Sequence, residues 1–270
     1  MTADSRATEA PPQLDEMAEA AHEAWHRARE AEVASATGNL SLTLTRWFPA
    51  GTPEDAARAA VEAELAERRE DAERHGRPAD SVVVTALERK NIDTGEPERG
   101  LRVWDAHSPA IEAFEGIDAF PYDPEWVIEA EFVPAGAGRT LAFEHIRDAG
   151  ATRELVAPGD IVFERDGRRF ELSAYDSSGR LLLVFGDLTN GDGEEGSYAP
   201  GRFLAVDRDP ALFGEGGPVT LDFNRAFVPP CGFSAQYNCP MPPPQNRLPW
   251  AVRAGERQPR FRDGFDLYAL

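Results

Sequence analysis

Between Gln13 and Ser35 hydrophobic positions recur at spacings of three and four, through Leu14, Met17, Ala18, Ala21, Ala24, Trp25 and Ala28. This period predicts an amphipathic helix packed through that stripe, ended by Gly38 and Asn39. Leu40, Leu42 and Leu44 then alternate with Ser41, Thr43 and Thr45, the period of a half-buried strand. Thr52-Pro53-Glu54-Asp55 predicts a second helix start, with Thr52 as cap, Pro53 at the first helical position and Asp55 reaching back to the free amides. That helix extends to His75, where Gly76 and Pro78 stop it. Residues 81–87 read as a strand, and the polar Asn91–Arg99 as a loop.

Beyond Phe114 the texture changes. Short strand-like runs recur at Trp126–Phe132, Arg139–Phe143, Asp160–Arg165, Arg168–Ala174, Leu181–Phe185, Arg202–Val206 and Val219–Phe223. Asp166-Gly167 between two of them is a strong hairpin signal. Seven prolines between Pro229 and Pro249 exclude a sheet interior and predict an extended wrap over the surface. The expected fold is α+β, mainly β: an antiparallel β-sandwich or barrel domain over 101–270, preceded by two N-terminal helices. Residues 13–100 form a helical extension with a few strands, and 1–12 a disordered tail.

Composition narrows function chiefly by exclusion. Acids outnumber bases 48 to 28, a net charge of −20, which argues against nucleic-acid or anionic-membrane partners. Lacking an apolar span or a signal-peptide pattern, the chain reads as cytoplasmic. The charge is uneven: residues 201–270 carry 7 acids and 8 bases, where an anion site could lie.

His22-Glu23-Ala24-Trp25-His26 fits the zinc-protease pattern H-E-x-x-H, but no downstream histidine completes a ligand set. The preferred reading is exposed histidines on an amphipathic helix, with no metal. Asp187–Glu195 is acidic and turn-rich, yet its spacing is not that of a calcium loop, so it reads as solvated. Cys231 and Cys239 could form a disulfide, or stand as thiols fixing the wrap; the thiol reading is preferred. No nucleotide, phosphate-cradling or nucleophile-elbow motif is found, so no cofactor is implied.

The C-terminal stretch carries the most specific signal. Asp222-Phe-Asn-Arg-Ala-Phe-Val-Pro-Pro-Cys231, Cys239-Pro-Met-Pro-Pro-Pro-Gln-Asn-Arg-Leu248 and Ala254-Gly-Glu256 resemble the signature of the domain of unknown function 1684 family, found in bacteria and archaea. The resemblance continues upstream through Gly201–Leu204 and Asp187-x-Thr189 to Phe120–Pro124. It departs at Phe227 and Val228, where the family has Tyr and Asn, which removes a hydroxyl and an amide. It implies a β-rich fold and supplies no reaction.

Two functional readings remain open. In one, a small anionic molecule is bound, with or without catalysis, by Asp222, Asn224, Arg225, Cys231, Asn246 and Arg247, with both arginines at one mouth of the barrel. In the other, the same residues are a non-catalytic frame holding the proline-rich wrap, or part of a partner-binding domain.

Overall fold

A computed structural model of the chain describes residues 12–91, 94–136, 138–148, 150 and 152–269, with the side chains of 12–15 and 194 left aside. The expected tail lies outside the described residues except for Pro12, where α1 (Pro12–Val33) begins. The strand β1 (Leu42–Trp47) leads to α2 (Glu54–Arg74) and then to β2 (Val82–Lys90) and β3 (Pro97–Asp105). These strands form an antiparallel sheet in the order β1-β3-β2. Val82, Val84, Leu101 and Val103 meet Ala72, Val61 and Leu65 of α2 in a small core of their own. Thr52 does not cap α2. Its hydroxyl donates to Pro49 O at 2.6 Å, and Pro53 occupies the cap position. The segment expected as a loop to Arg99 gives its last three residues to β3, because Glu98 is drawn into the ladder opposite Arg89, with which it also ion-pairs at 2.7 Å.

A short helix α3 (Pro109–Ala113), capped by Ser108, leads into β4 (Phe114–Ala119). Next come β5 (Val127–Pro134), β6 (Thr140–Glu144), β7 (Thr152–Val156), β8 (Gly159–Arg165), β9 (Arg168–Asp176), β10 (Leu181–Phe185), β11 (Arg202–Val206), β12 (Gly217–Asp222) and β13 (Glu256–Phe261). Six of these strands build one antiparallel sheet, β11-β10-β9-β8-β5-β12, curled into a half-barrel. The β8–β9 hairpin turns at Asp166 (φ 53°) and Gly167 (φ 69°), the paired positive φ that Asp-Gly accepts. Edge strand β11 is bridged to the segment that follows the other edge strand, β12, where Phe203 and Phe227 exchange backbone hydrogen bonds of 2.9 and 2.8 Å.

Leu181-Leu-Leu-Val-Phe185 is buried on both faces, as an unbroken apolar strand requires. Leu181, Leu183 and Phe185 join Phe132, Ile161, Leu172 and Phe223 inside the curl. Leu182 and Val184 face a second core with Val33, Phe143, Phe233 and the two cysteines. The wrap departs from the extended surface path expected of it: 3-10 turns at Pro230–Gly232 and Pro244–Asn246 break it, and Cys231, Phe233, Cys239, Asn246 and Leu248 are buried because it packs into the second core and against β9 and β10. Pro240 bridges His145, and Met241 N–H donates to Glu144 O at 2.7 Å. Gly186 then exchanges hydrogen bonds with Asn246 and Leu248.

The face on which α1 docks differs from the expected stripe. Met17 is 69% exposed, and Ala21, Ala24 and Ala28 face solvent, whereas His22, Trp25, His26, Arg29 and Val33 face the protein. The alanine stripe offers little area, while the opposite face has specific partners. His26 Nε2 lies 3.1 Å from Ile117 O, Arg29 donates to Val228 O at 3.2 Å, and Arg29 Nε meets Glu256 Oε1 at 3.4 Å.

Candidate functional site

The signature residues sort into clamps and cavity walls. Asn246 is fully buried. Its Oδ1 accepts Ser173 N–H at 2.8 Å, and its Nδ2 donates to Ser173 O and Val184 O at 2.9 and 2.8 Å. Both amide hydrogens are used, and the side chain ties the wrap to β9 and β10. Asn224 repeats the device: Oδ1 accepts Asp123 N–H, and Nδ2 donates to Asp123 O and Asp222 Oδ1. Asp222 also pairs with Arg225 at 3.3 Å.

Arg225 and Arg247 do not share a mouth. Arg225 borders a cleft of about 550 Å³ beside β11 and β12, with Trp25, Phe227, Arg180, Asp207 and Asp222. Arg247 borders a separate hollow of about 270 Å³ with Glu144, Thr152 and the proline run. They part because Asn246 anchors the wrap at β9 and β10, while Arg225 stays at the end of β12.

Cys231 is buried and unbonded, with its backbone N–H on Cys239 Sγ at 3.3 Å and Tyr198 OH donating to its Sγ at 3.7 Å. Hydrogen bonds from Cys239 and Tyr198 draw the Cys231 thiol down against burial, and the same pairing together with burial pushes Cys239 well up.

The segment expected as a solvated acidic loop begins in the core. Asp187 and Thr189 are buried, and Asp187 Oδ2 accepts from the fully buried Arg202 at 2.9 Å. Arg202 also donates to the carbonyls of Val252, Ala254 and Glu256. The chain returning from the wrap thus closes on one guanidinium. Gly255 makes this approach possible: at φ +75°, a Cβ there would sit 2.5 Å from Ala226 O. Glu256 is buried beneath α1, its carboxylate accepting from Val228 N–H at 2.8 Å, and burial raises its pKa to about 7 against the pull of Arg29.

His22 and His26 are packed rather than exposed. His22 is 8% exposed, stacks on Trp25 and meets the tilted ring of Tyr122, each at 5.7 Å between centroids. Burial, then His26, holds its pKa below 6.5. Among the described residues no cluster of metal-ligating side chains occurs, and no helix is long and apolar enough to cross a membrane.

A different set of residues forms a basic cleft of about 280 Å³ where the β1–β3 sheet meets the signature spacer. Thr45 and Trp47 of β1, Glu88 and Arg89 of β2, and Arg102 of β3 line one side. His145, Arg153, Gln236 and Asn238 line the other. Arg89 lies 3.9 Å over the Trp47 ring and pairs with Glu98, and Arg153 forks onto Asp148 at 2.6 and 2.9 Å. Glu88 pairs with Arg99 at 3.0 Å.

Among the described residues Arg102 has no acid. Half-buried, with Nε sealed from solvent and unpartnered among them, its guanidinium lies over the Tyr237 ring, at 5.1 Å. Thr45 Oγ1 beside it is also buried without a hydrogen bond among the described residues. His145 hydrogen-bonds Phe143 O through Nδ1 at 3.1 Å, and burial, then Arg153, lowers its pKa.

Sequence reasoning missed this cleft because its walls are gathered from separate stretches of the chain, Thr45 to Arg102 on one side and His145 to Asn238 on the other. The one local trace is Arg102 and Trp104 alternating with the buried Leu101 and Val103 on β3, which puts a cation on the face away from α2.

Comparison with known proteins adds a name at family level. Among solved structures, the solution NMR structure of an uncharacterised protein from Haloarcula marismortui is 33% identical. The match covers 54% of this chain and 77% of that one, with a TM-score of 0.43. No curated protein matches. The family model described as protein of unknown function (DUF1684) matches residues 112–257. More than half the chain is covered, through the clamps and the Arg202 closure, and the chain belongs to that family.

Proposed function

We propose that the protein binds a small anionic molecule in the basic cleft, with Arg102 as the principal contact. The observation that carries this reading is the Arg102 guanidinium, half-buried and without a carboxylate in a chain of net charge −20. With Glu98, Asp148 and Glu88 matched to Arg89, Arg153 and Arg99, its charge is the excess in the cleft. The larger cleft at Arg225 lacks such an excess, since Asp207 and Asp222 stand beside Arg180 and Arg225.

A carboxylate about 4 Å from Arg102 gains roughly 4 kcal/mol at an effective dielectric near 20. With the cost of association set against it, such a gain holds a head group alone no more tightly than about 1 mM. Thr45 Oγ1 and the Asn238 carboxamide supply further hydrogen-bonding groups around it.

The signature itself is proposed as the frame of this site. Support comes from the saturated amides of Asn224 and Asn246, which leave no N–H hydrogen for a ligand, and from the Arg202 closure. Through Gln236–Asn238 the framed wrap presents its spacer to the cleft.

Titrating acetate and inorganic phosphate while following arginine side-chain NMR signals tests the reading. The Arg102 signal is expected to shift with a millimolar midpoint, at least tenfold weaker in the remaining cleft signals of Arg102→Gln and unchanged in Arg225→Gln. Absence of any shift, or saturation that ignores Arg102→Gln, overturns it.

A further inference from the structure

Next to the basic cleft lies a second cavity of about 210 Å³, lined mainly by Leu40, Leu42, Pro109, Ala110, Phe233 and Leu267. The two adjoin at one shared wall residue. Gln236 lines both, and β1 runs from one to the other, with Leu42 and Thr43 on the apolar cavity and Thr45 and Trp47 on the basic cleft. Gln236 is fixed at the boundary because its Oε1 accepts Thr45 N–H at 2.9 Å.

The hydroxyls around the apolar cavity are already satisfied. Ser108 donates to Leu40 O and Ser234 to Leu42 O, each at 2.7 Å, and Thr43 donates to Val103 O at 3.3 Å. Such a cavity offers water few partners and suits hydrocarbon.

We infer that the ligand is an amphiphilic anion, whose acidic head meets Arg102 and whose unbranched aliphatic tail passes Gln236 into the apolar cavity. This rests on the reading of the basic cleft given above. What it adds is the tail, and with it a class: acyl carboxylates or alkyl phosphates rather than small polar anions. The charge chemistry of the head is common to both, and the two series distinguish them. Each methylene taken from water into the cavity should tighten binding three- to fourfold, so about four buried methylenes move a millimolar head group into the micromolar range.

The test is calorimetric titration of straight-chain carboxylates from acetate to octanoate, of inorganic phosphate and octyl phosphate, and of octanol as a tail without a head. Octanoate or octyl phosphate is expected to bind at least a hundredfold more tightly than acetate or phosphate. The gain should vanish in Ala235→Phe, which fills the apolar cavity. Should that variant not fold, Thr43→Phe narrows the same cavity from its rim, and the series on the unaltered protein still decides.

If acetate and phosphate bind through Arg102 but affinity does not rise with chain length, the amphiphile is wrong and the anion site stands. If octanol matches octanoate and Arg102→Gln changes nothing, the head-group assignment is overturned. If no anion binds at all, both readings fall.

Discussion

Replacing Asn246 by alanine separates a clamp from a ligand group. The truncation strands one buried N–H, of Ser173, and two buried carbonyls, of Ser173 and Val184. A buried polar group left unpaired costs about 1–3 kcal/mol, and partial relaxation or one entering water relieves part of the sum. A loss of about 4 kcal/mol is therefore expected, a large share of the roughly 5–15 kcal/mol of a typical domain. Asn246→Asp keeps the volume but turns both donors into acceptors facing carbonyls and adds a buried charge, so it should cost at least as much. Urea unfolding followed by tryptophan fluorescence reads the change, and acetate titration of the folded variant reads binding. A loss below about 1 kcal/mol in Asn246→Ala, or acetate binding abolished in a protein of full stability, would refute the clamp argument.

Three other outcomes follow from buried charge. The folded Glu256 carboxyl titrates at about 7 against 4.5 unfolded, so the folded state holds the extra proton between those values. Its stabilising contribution is full below pH 4.5 and is lost as pH rises to about 7, by roughly 3 kcal/mol, so urea midpoints of Glu256→Gln across that range should lack this slope. Asp187→Asn leaves Arg202 buried with carbonyls only and should cost about 3–5 kcal/mol in thermal or urea unfolding. His145, with its pKa lowered chiefly by burial, favours the folded state when neutral; that contribution is full above pH 6.5 and falls as pH drops below it, a dependence His145→Gln should remove from the melting temperature.

Local pattern carried most of the fold. The runs Leu181–Phe185 and Arg202–Val206 are β10 and β11 residue for residue, and Asp166-Gly167 makes its hairpin, because alternation and turn chemistry are short-range causes. The failures were long-range. β13 contains Pro259 and mixed charges, and it is a strand only because β4 lies beside it. The buried face of α1 could not be read from its alanines, because Glu256, Val228 O and Ile117 O, which select it, come from the far end of the chain or from another sheet. Among the candidate site residues, residue type was informative and location was not. Asparagines beside prolines do satisfy backbone groups, but which arginine lacks an acid depends on tertiary pairing.

Arginine pairing is what distinguishes the basic cleft. Arg202 is answered by Asp187 and three carbonyls, and Arg29 by Glu256, Val228 O and two aromatic rings. Among the described residues Arg102 is answered by the Tyr237 ring alone, a contact worth about 0.5–2 kcal/mol, against the desolvation of a guanidinium with a sealed Nε. Held for structure only, such a group is poorly chosen, since an apolar side chain of similar length would fill the same space without that penalty. Arg102→Met is therefore expected to keep or raise the melting temperature while removing anion binding, the trade-off of a residue retained for a ligand. The surrounding acidity does not oppose this, because at physiological ionic strength charges beyond about 8 Å are largely screened and the entering anion meets chiefly the cleft. A fall of several degrees in Arg102→Met, with anion affinity unchanged, would make Arg102 a structural strut and return the search for a ligand site to the cleft at Arg225.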